Sequence, residues 1–277
     1  MFYLINKKVG ESSFYAIKKF AKNNNIKKIG HTGTLDPLAS GLLLVACDYS
    51  TKLIQYISNK TKGYICELQF GYATDTYDIE GQVTNTSSTK VTLGVLEMSL
   101  DKISQLKTQI PPIYSAKKIN GKRAYEYARE KIDIQIKEHK INIYNYKLVE
   151  FDFQSQKAKI SFEVSEGTYI RTLVDDLGKM CNSYATMTAL FRNKIGDFEV
   201  EILNNQEFKE INPLSLFNLD TYKYTAQEKH FLKDGRSIKS NLKNGTILLL
   251  NSDNQISGVA QVTNNVLKVK NLFIERL

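Results

Sequence analysis

The segment Lys28–Gly41, with the sequence KIGHTGTLDPLASG, constrains the fold more than any other stretch of the chain. Its three glycines permit positive φ and a close approach of neighbouring backbone. Pro37 fixes its own φ and pushes Asp36 toward extended geometry, so the segment cannot continue as a helix. The apolar run LLLVAC follows at residues 42–47 and predicts a buried strand. We therefore expect a rigid loop, anchored by a strand, that presents one carboxylate.

Local chemistry leaves two interpretations of Asp36 open. A Gly-rich stretch before a strand commonly forms only a turn, and an Asp before a Pro commonly initiates one. Alternatively, a loop held by a rigid scaffold is where catalytic side chains concentrate. A phosphate-binding P-loop is excluded because no Gly-Lys-Ser/Thr follows at the required spacing. His31, taken alone, is more typical of a structural or surface histidine.

Four sequence blocks resemble the TruB family of tRNA pseudouridine synthases, which isomerise uridine 55 in the T-loop of tRNA. GHTGTLDPLASG resembles the family signature. The other three blocks, in the family's order, are KGYICELQFGYATDTYDIEG from Lys62, PPIYSAKKINGKRAYEYAR from Pro111 and EGTYIRTLVDDLG from Glu166. Four blocks in order over roughly the first 200 residues argue strongly against a chance match.

The resemblance implies an α+β fold with two domains. Residues 1–220 are expected to form the catalytic domain, a pseudouridine-synthase-like mixed, mainly antiparallel sheet flanked by helices. Residues 225–277 contain short strands separated by Asn, Gly and Ser turns, which is typical of a small barrel. This tail resembles the small PUA-like RNA-binding domain of the family. We place the boundary at residues 204–224, where long apolar runs are few.

Hydrophobic periodicity predicts the individual elements. Strands are expected at residues 2–5, 42–47, 64–72, 133–138, 141–154, 157–165, 246–250, 258–262 and 266–269, helices at 14–22, 50–57, 96–106, 124–129 and 169–180, a turn at 83–90, and a strand or helix start at 186–190. Ser12 or Ser13 is expected to cap the first helix.

The resemblance assigns the central chemical role to Asp36. Converting uridine to pseudouridine breaks a C–N glycosidic bond, rotates the base and rejoins it through carbon, without a redox step. A carboxylate can serve as the nucleophile because it can add covalently and leave again. Attack at C6 of the base, attack at C1′ of the sugar and stabilisation of an elimination all remain open. Arg171 matches the family's cation beside the carboxylate, where a planar guanidinium can orient it and oppose the effect of burial on its pKa.

Four further residues match pocket positions of the family. Tyr64 matches the active-site tyrosine, whose ring can stack on the target base and whose phenol can take part in proton transfer. Tyr169 matches a second pocket tyrosine, and Leu190 matches an apolar residue near the base. His31 resembles the residue that fills or contacts the space vacated when the target uridine is flipped out. On pattern alone, both tyrosines are more typical of ordinary strand or core aromatics than of an active site.

Two positions depart from the family pattern. Lys8 stands where the turn before the first helix usually carries a proline. Phe191 stands where the family usually has the first arginine of Leu-Arg-Arg, so one positive charge is missing. The second departure puts a phosphate contact in doubt.

Positive charge is concentrated in two segments. The chain has a net charge of +9, and residues 1–30 and 101–149 each carry +6. This distribution favours a polyanionic partner, which the resemblance identifies as the T-loop and elbow of tRNA. A solvated lysine-rich surface is the competing interpretation. The candidate contacts to the RNA backbone are Lys18, Lys19, Lys117, Lys122 and Arg123.

Cysteine and histidine usage indicates neither disulfides nor a metal site. Cys47, Cys66 and Cys181 are an odd number without CxxC spacing, and the three histidines lack the spacing of metal ligands. We expect reduced core thiols in a cytoplasmic protein. No apolar run approaches the ~20 residues of a membrane span, and the reaction requires no cofactor.

Two other functions are alternatives to the isomerase. The basic segments and the PUA-like tail would also suit a non-catalytic RNA-binding protein or tRNA-folding chaperone, but such a protein would not need Asp36, Tyr64 and Arg171 together. A glycosidase with Asp36 and Asp75 as paired carboxylates is the weaker alternative. Asp75 lies in a TDTYD stretch that the resemblance explains without acid catalysis.

Overall fold

The body of the protein is a nine-stranded sheet. The computed structural model describes residues 1–119, 121–130, 132 and 134–276. The strands of the described chain, which belong to this sheet and to smaller ones, are β1 (Phe2–Lys7), β2 (Ile29–His31), β3 (Ser40–Cys47), β4 (Lys62–Phe70), β5 (Tyr72–Thr74), β6 (Val83–Thr86), β7 (Thr108–Gln109), β8 (Lys118–Ile119), β9 (Lys122–Arg123), β10 (His139–Lys140), β11 (Ile143–Asp152), β12 (Lys157–Val164), β13 (Ala185–Ile195), β14 (Phe198–Glu199), β15 (Phe208–Ile211), β16 (Thr221–Lys223), β17 (Ile238–Lys239), β18 (Gly245–Leu250), β19 (Ile256–Thr263) and β20 (Val266–Leu272).

Helices cover one face of this sheet. The α-helices are α1 (Ser13–Asn23), α2 (Leu93–Ser104), α3 (Ala124–Arg129), α4 (Ile170–Met180) and α5 (Ala226–Lys233), and the 3₁₀ helices are Asp48–Tyr56, Val200–Leu203, Pro213–Leu216 and Ile274–Arg276. Buried residues of α1, α2 and α4 share one hydrophobic core with the sheet. Within the described residues, no helix is both long and apolar enough to cross a membrane.

The strand order confirms a mixed, mainly antiparallel sheet. The order is β11, β12, β4, β13, β3, β1, β15, with β2 beside β3 and β14 beside β13. Among the described residues, every neighbouring pair in this sheet is antiparallel except β13 and β3, which run parallel. The α+β class expected from the sequence is therefore confirmed.

Strand β3 is buried on both faces, as the continuous apolar run at residues 42–47 predicted. Leu43 and Val45 point into the core beneath the helices. Leu44 and Ala46 point into a second core, on the opposite face of the sheet. This alternation follows from the period of two in a strand, and it places β3 at the centre of the molecule.

Gly41, at the start of β3, permits the parallel contact with β13. Its φ is +106°, which favours glycine, and a Cβ at this position would lie 2.2 Å from the carbonyl oxygen of Arg192. The pairing sets Arg192 opposite Gly41. The loop before β3 and the end of β13 are thereby fixed against each other.

A second sheet contains the C-terminal strands in the order β16, β18, β19, β20, β17. Leu248, Leu250 and Val259 pack in the same core as Leu44 and Ala46, so this sheet lies against the uncovered face of the larger one. The PUA-like nature of the tail and the domain boundary at residues 204–224 stay predictions. β15 pairs with β1 and so extends the larger sheet into that boundary region.

Most predicted elements are present, with three local differences. The helix expected at residues 50–57 is a 3₁₀ helix, Asp48–Tyr56. The turn expected at 83–90 contains β6, which pairs with β5. The strand expected at 133–138 is wrong for residues 134–138, which form no strand, and residue 133 lies outside the described residues. Alternating isoleucines suggested that strand, but a strand also requires a hydrogen-bonded neighbour, which periodicity does not report.

Candidate active site

A cleft of about 320 Å³ opens beside the Gly-rich loop. It brings together five separate parts of the chain. The lining residues are Thr32, Gly33, Thr34, Leu35, Asp36, Lys62, Tyr64, Ser115, Ala116, Lys117, Glu166, Gly167, Thr168, Tyr169, Ile170, Arg171, Leu190 and Arg192. The Gly-rich loop, the start of β4, the segment before β8, the start of α4 and the end of β13 therefore meet at one place.

The loop that carries Asp36 is anchored on both sides. The Ser13 hydroxyl accepts from the Leu35 amide at 2.7 Å and donates to the Leu35 carbonyl at 2.8 Å. Lys7, whose side chain is buried, donates to the carbonyl oxygens of Ala39 at 2.5 Å and Pro37 at 3.3 Å. The carboxylate is thus presented by a backbone fixed at the residues before and after it. Of the two serines expected to cap α1, Ser12 is the N-cap, and its hydroxyl accepts from the Tyr15 amide.

Arg171 forms an ion pair with Asp36. Its Nε lies 2.9 Å from Oδ2 of Asp36, and its side chain is only 5% exposed, compared with 35% for Asp36. Nη1 donates to the Thr76 carbonyl at 2.9 Å, and Nη2 donates to the Tyr114 carbonyl at 2.9 Å. Two backbone carbonyls therefore hold the guanidinium in place, and the carboxylate that it contacts through Nε faces the cleft.

Asp78 is a second carboxylate on the same guanidinium. Its Oδ2 lies 3.3 Å from Nη1 of Arg171, and its side chain is 4% exposed. Its Oδ1 accepts from the Thr76 hydroxyl at 2.6 Å and from the Glu80 amide at 3.1 Å. Asp78 was not singled out from the sequence, although it lies in the acidic stretch where Asp75 was considered. Only the folded chain shows which of these acids reaches Arg171.

The two carboxylates differ in exposure and therefore in what they can do. Asp78 is buried and fully engaged, so it serves to position Arg171. Asp36 is partly open to the cleft. Burial raises the pKa of the Asp36 carboxyl above its ordinary value, while the Arg171 guanidinium opposes that rise. A carboxylate held by one cation, short of full solvation and open to a cleft, can act as a nucleophile.

Aromatic and apolar side chains form the walls beside Asp36. Tyr64, on β4, and Leu190, on β13, are both buried and both line the cleft. Tyr169 precedes α4, and its backbone is clamped by the Gln109 side chain, which accepts from the amide at 2.8 Å and donates to the carbonyl at 3.0 Å. Burial raises the pKa of the Tyr169 phenol. The structure therefore gathers Asp36, Tyr64, Tyr169, Arg171 and Leu190 in one cleft.

His31 lies at the end of β2, before the loop. Its Nδ1 accepts from the Gly33 amide at 3.2 Å, and burial lowers the pKa of the ring. In the described part of the chain, His31 is not among the residues that line the cleft. Its assigned role beside the flipped nucleotide stays a prediction. Asp75, the second acid of the glycosidase alternative, is also absent from the described lining.

The basic candidates lie in two places, on α1 and in the segment around β8, β9 and α3. Lys117 lines the cleft and donates to the Lys137 carbonyl at 3.2 Å. Lys122 is paired with Glu130 at 2.5 Å, and Lys19 with Glu11 at 3.4 Å. The other two candidates make local contacts, Lys18 with the Phe14 ring and Arg123 with the Ala116 carbonyl. Their contacts with RNA stay predictions.

Phe191, where the family usually has an arginine, is outside the described cleft lining. Its neighbours Leu190 and Arg192 line the cleft. Successive side chains of a strand point to opposite faces, so Leu190 and Arg192 point toward the cleft and Phe191 points to the other face of the sheet. The other departure, Lys8, forms an exposed ion pair with Glu207 at 2.7 Å.

Comparison with known proteins places this site in a family. The model of the TruB family pseudouridylate synthase (N terminal domain) matches residues 19–170. A tRNA pseudouridine synthase B of Mesomycoplasma hyopneumoniae is 42% identical over 98% of this chain and 81% of its own length. A tRNA pseudouridine synthase B of Mycoplasma mobile is 41% identical over 100% of this chain and 96% of its own.

A solved structure shares the fold at low sequence identity. It is an H/ACA RNP bound to a substrate RNA containing 2′-deoxyuridine, and it superposes with a TM-score of 0.64 at 16% identity. The match covers 98% of this chain and 84% of that one. This likeness shows a common architecture for the two chains.

Proposed function

The chain belongs to the TruB family of pseudouridylate synthases, and we propose that it isomerises uridine 55 in the T-loop of tRNA to pseudouridine with Asp36 as the nucleophile. The family and the full-length relatives named tRNA pseudouridine synthase B make it an isomerase rather than a purely binding protein. One observation carries the assignment of the nucleophile. Asp36 contacts the buried Arg171 at 2.9 Å and faces the cleft.

The chemistry asks three things of the site. The carboxylate must be ionised, and the adjacent guanidinium favours that form. The uracil ring must be held while it is detached and turned, and the Tyr64 ring and the Leu190 side chain offer apolar faces for this. Water must be kept from the cleaved bond, for which a cleft walled by buried side chains is suited. Attack at C6 and attack at C1′ both require an ionised carboxylate held close to the nucleoside.

The target uridine has to leave the stacked RNA loop before it can reach Asp36. Extruding a nucleotide costs a few kcal/mol. Contacts between phosphates and the basic segments offset that cost, and binding should weaken steeply with salt. The relatives' names point to tRNA as the partner, and we propose that the T-loop and elbow are the part of it that is bound. We place this activity in the cytoplasm, in keeping with three buried free cysteines.

The test uses a tRNA transcript and the purified protein without any added cofactor. Wild-type protein should form pseudouridine at position 55, mapped by mass spectrometry. Asp36→Asn should form none while retaining its affinity for the transcript, because the amide keeps the shape but cannot act as the nucleophile. Asp75→Asn is the matched control and should remain active, since Asp75 lies outside the described cleft lining.

Two outcomes would contradict the proposal. Product from Asp36→Asn, prepared free of wild type, would remove Asp36 from the nucleophile role. A wild-type protein that binds the transcript but leaves every uridine unchanged would support the non-catalytic RNA-binding alternative.

A further inference from the structure

We propose that Lys62 and Arg192 form an anion subsite in the cleft that binds a phosphodiester of the RNA next to the extruded nucleotide. This inference rests on the proposed function, because it takes RNA as the ligand. Neither residue was selected from the sequence. Both line the same cleft as Asp36.

Lys62 is a buried cation whose charge is unmatched. Its side chain lies at the start of β4, the residue is 4% exposed, and it lines the cleft. Among the described residues, no carboxylate lies within ion-pair distance of its Nζ, and no acceptor lies within hydrogen-bond distance. Desolvation and the nearby Arg192 lower the pKa of Lys62 to about 7. An unpaired buried ammonium is unfavourable unless it meets an anion or loses its proton.

Arg192 is more deeply buried than Lys62, with 1% exposure, and it is rigid. Its Nε donates to the Leu42 carbonyl at 2.7 Å, and its Nη2 donates to the Gly33 carbonyl at 3.1 Å. In the described part of the chain, Nη1 has no hydrogen-bond partner. The guanidinium is therefore oriented by neutral acceptors, which leave its positive charge uncompensated.

Gly33 lies between the two cations. A Cβ at this position would lie 3.6 Å from Nη1 of Arg192 and 3.8 Å from Cε of Lys62. With glycine there, the space beside both groups is unoccupied by a side chain and continuous with the cleft. An ammonium and a guanidinium around such a space suit a phosphate group, since both form charge-assisted hydrogen bonds to its oxygens.

The acids of the cleft are paired with other cations. Asp36 contacts Arg171, which Asp78, outside the described lining, also contacts. Glu166, on the cleft rim, pairs with Lys60 at 3.4 Å. Lys117, the remaining cation of the lining, donates to a backbone carbonyl. Lys62 and Arg192 are thus two basic side chains of the described lining that have no carboxylate partner.

The test is a double-mutant cycle on binding, in which a change at Lys62 is combined with a change at one phosphate of the RNA. T-arm stem–loop RNAs carry a single uncharged methylphosphonate at successive linkages, with a 2′-deoxy sugar at that linkage for chemical stability. The reference RNAs carry the 2′-deoxy sugar alone. Binding is measured in the Asp36→Asn background, so no turnover occurs and the result does not depend on whether the wild-type protein makes pseudouridine.

With Lys62 present, a methylphosphonate beside the target uridine should weaken binding about tenfold or more, as expected for a hydrogen bond between charged groups. In Lys62→Met and in Lys62→Gln, the same modified and reference RNAs should differ by less than about twofold. Lys52→Met is the matched control. It removes an exposed lysine that is not in the described cleft lining, and it should keep the tenfold loss.

Two results would overturn the subsite. One is an undiminished methylphosphonate effect in a folded Lys62 variant, which would place the phosphate elsewhere. The other needs no Lys62 variant and applies even if both fail to fold. It is a scan in which the linkages beside the target uridine lose no more affinity than linkages in the stem. Loss of pseudouridine formation with an intact cycle would instead contradict only the proposed reaction.

Discussion

Arg171 Nε lies 2.9 Å from Asp36 Oδ2, and the same guanidinium is fixed by Asp78 on the side away from the cleft. The orientation of the Asp36 carboxylate therefore depends on Asp78, which is not in the described cleft lining, as well as on Arg171. Asp78 comes from the loop after β5, and Arg171 comes from the first turn of α4. Two elements far apart in sequence thus determine where Asp36 points.

Asp78→Ala should impair both stability and catalysis. It leaves the buried Arg171 with one carboxylate instead of two, and breaking a buried ion pair costs about 3–5 kcal/mol. The rate of pseudouridine formation at saturating enzyme should fall at least about tenfold, since misplacing a reacting group by a small distance is costly. Urea unfolding and single-turnover kinetics measure the two effects. Asp75→Asn, in the same loop, is the control, and equal effects from both variants would contradict the role of Asp78.

The apparent pKa of the acid limb of the pH–rate profile should lie above the ordinary pKa of an aspartate. Burial raises the pKa of Asp36 above 3.8, and only the deprotonated form can attack. The single-turnover rate at saturating enzyme should therefore fall as pH drops through this raised pKa. Circular dichroism at each pH checks that the protein remains folded. A rate that is constant down to the ordinary pKa would contradict the environment described for Asp36.

Gly41→Ala should disrupt the junction between β3 and β13. Its Cβ would meet the Arg192 carbonyl oxygen at 2.2 Å, and its φ is +106°. We expect a loss of more than about 3 kcal/mol in the free energy of unfolding, because backbone atoms would have to move. Gly94→Ala is the matched control, since it lies in α2 with no atom within 4 Å of the added carbon. That change should stabilise by up to about 1 kcal/mol, and urea titration of both variants distinguishes the cases.

Lys117→Ala should weaken RNA binding in a salt-dependent manner. Lys117 lines the cleft, and its only described hydrogen bond is to a backbone carbonyl, so its charge is available to a phosphate. The slope of log K against log salt should become shallower by about one unit. Lys122→Ala should change the slope less, because Glu130 already pairs with Lys122. Equal slopes for Lys117→Ala and wild type would show that this lysine does not contact phosphate.

The parts of the site that could be predicted from sequence are contiguous motifs. Asp36 was identified from a loop whose glycines, proline and following apolar run specify local backbone, and Tyr64, Tyr169, Arg171 and Leu190 from blocks that resemble a family. These residues line one cleft together. The central strand, β3, could also be predicted from the sequence, because a continuous apolar run indicates burial on both faces whichever strands lie beside it.

By itself, then, the sequence determined the presence of a fixed loop with one carboxylate, the main strands and helices, and the family. Tertiary structure alone decided that Asp78 rather than Asp75 supports Arg171, that Ser13 anchors Leu35, and that Lys62 and Arg192 meet beside Gly33. The physical reason is that such contacts depend on strand order and on the single parallel pairing found among the described strands of the larger sheet. Hydrophobic periodicity fixes which face of a strand is buried, but it does not specify which distant segment will lie next to it.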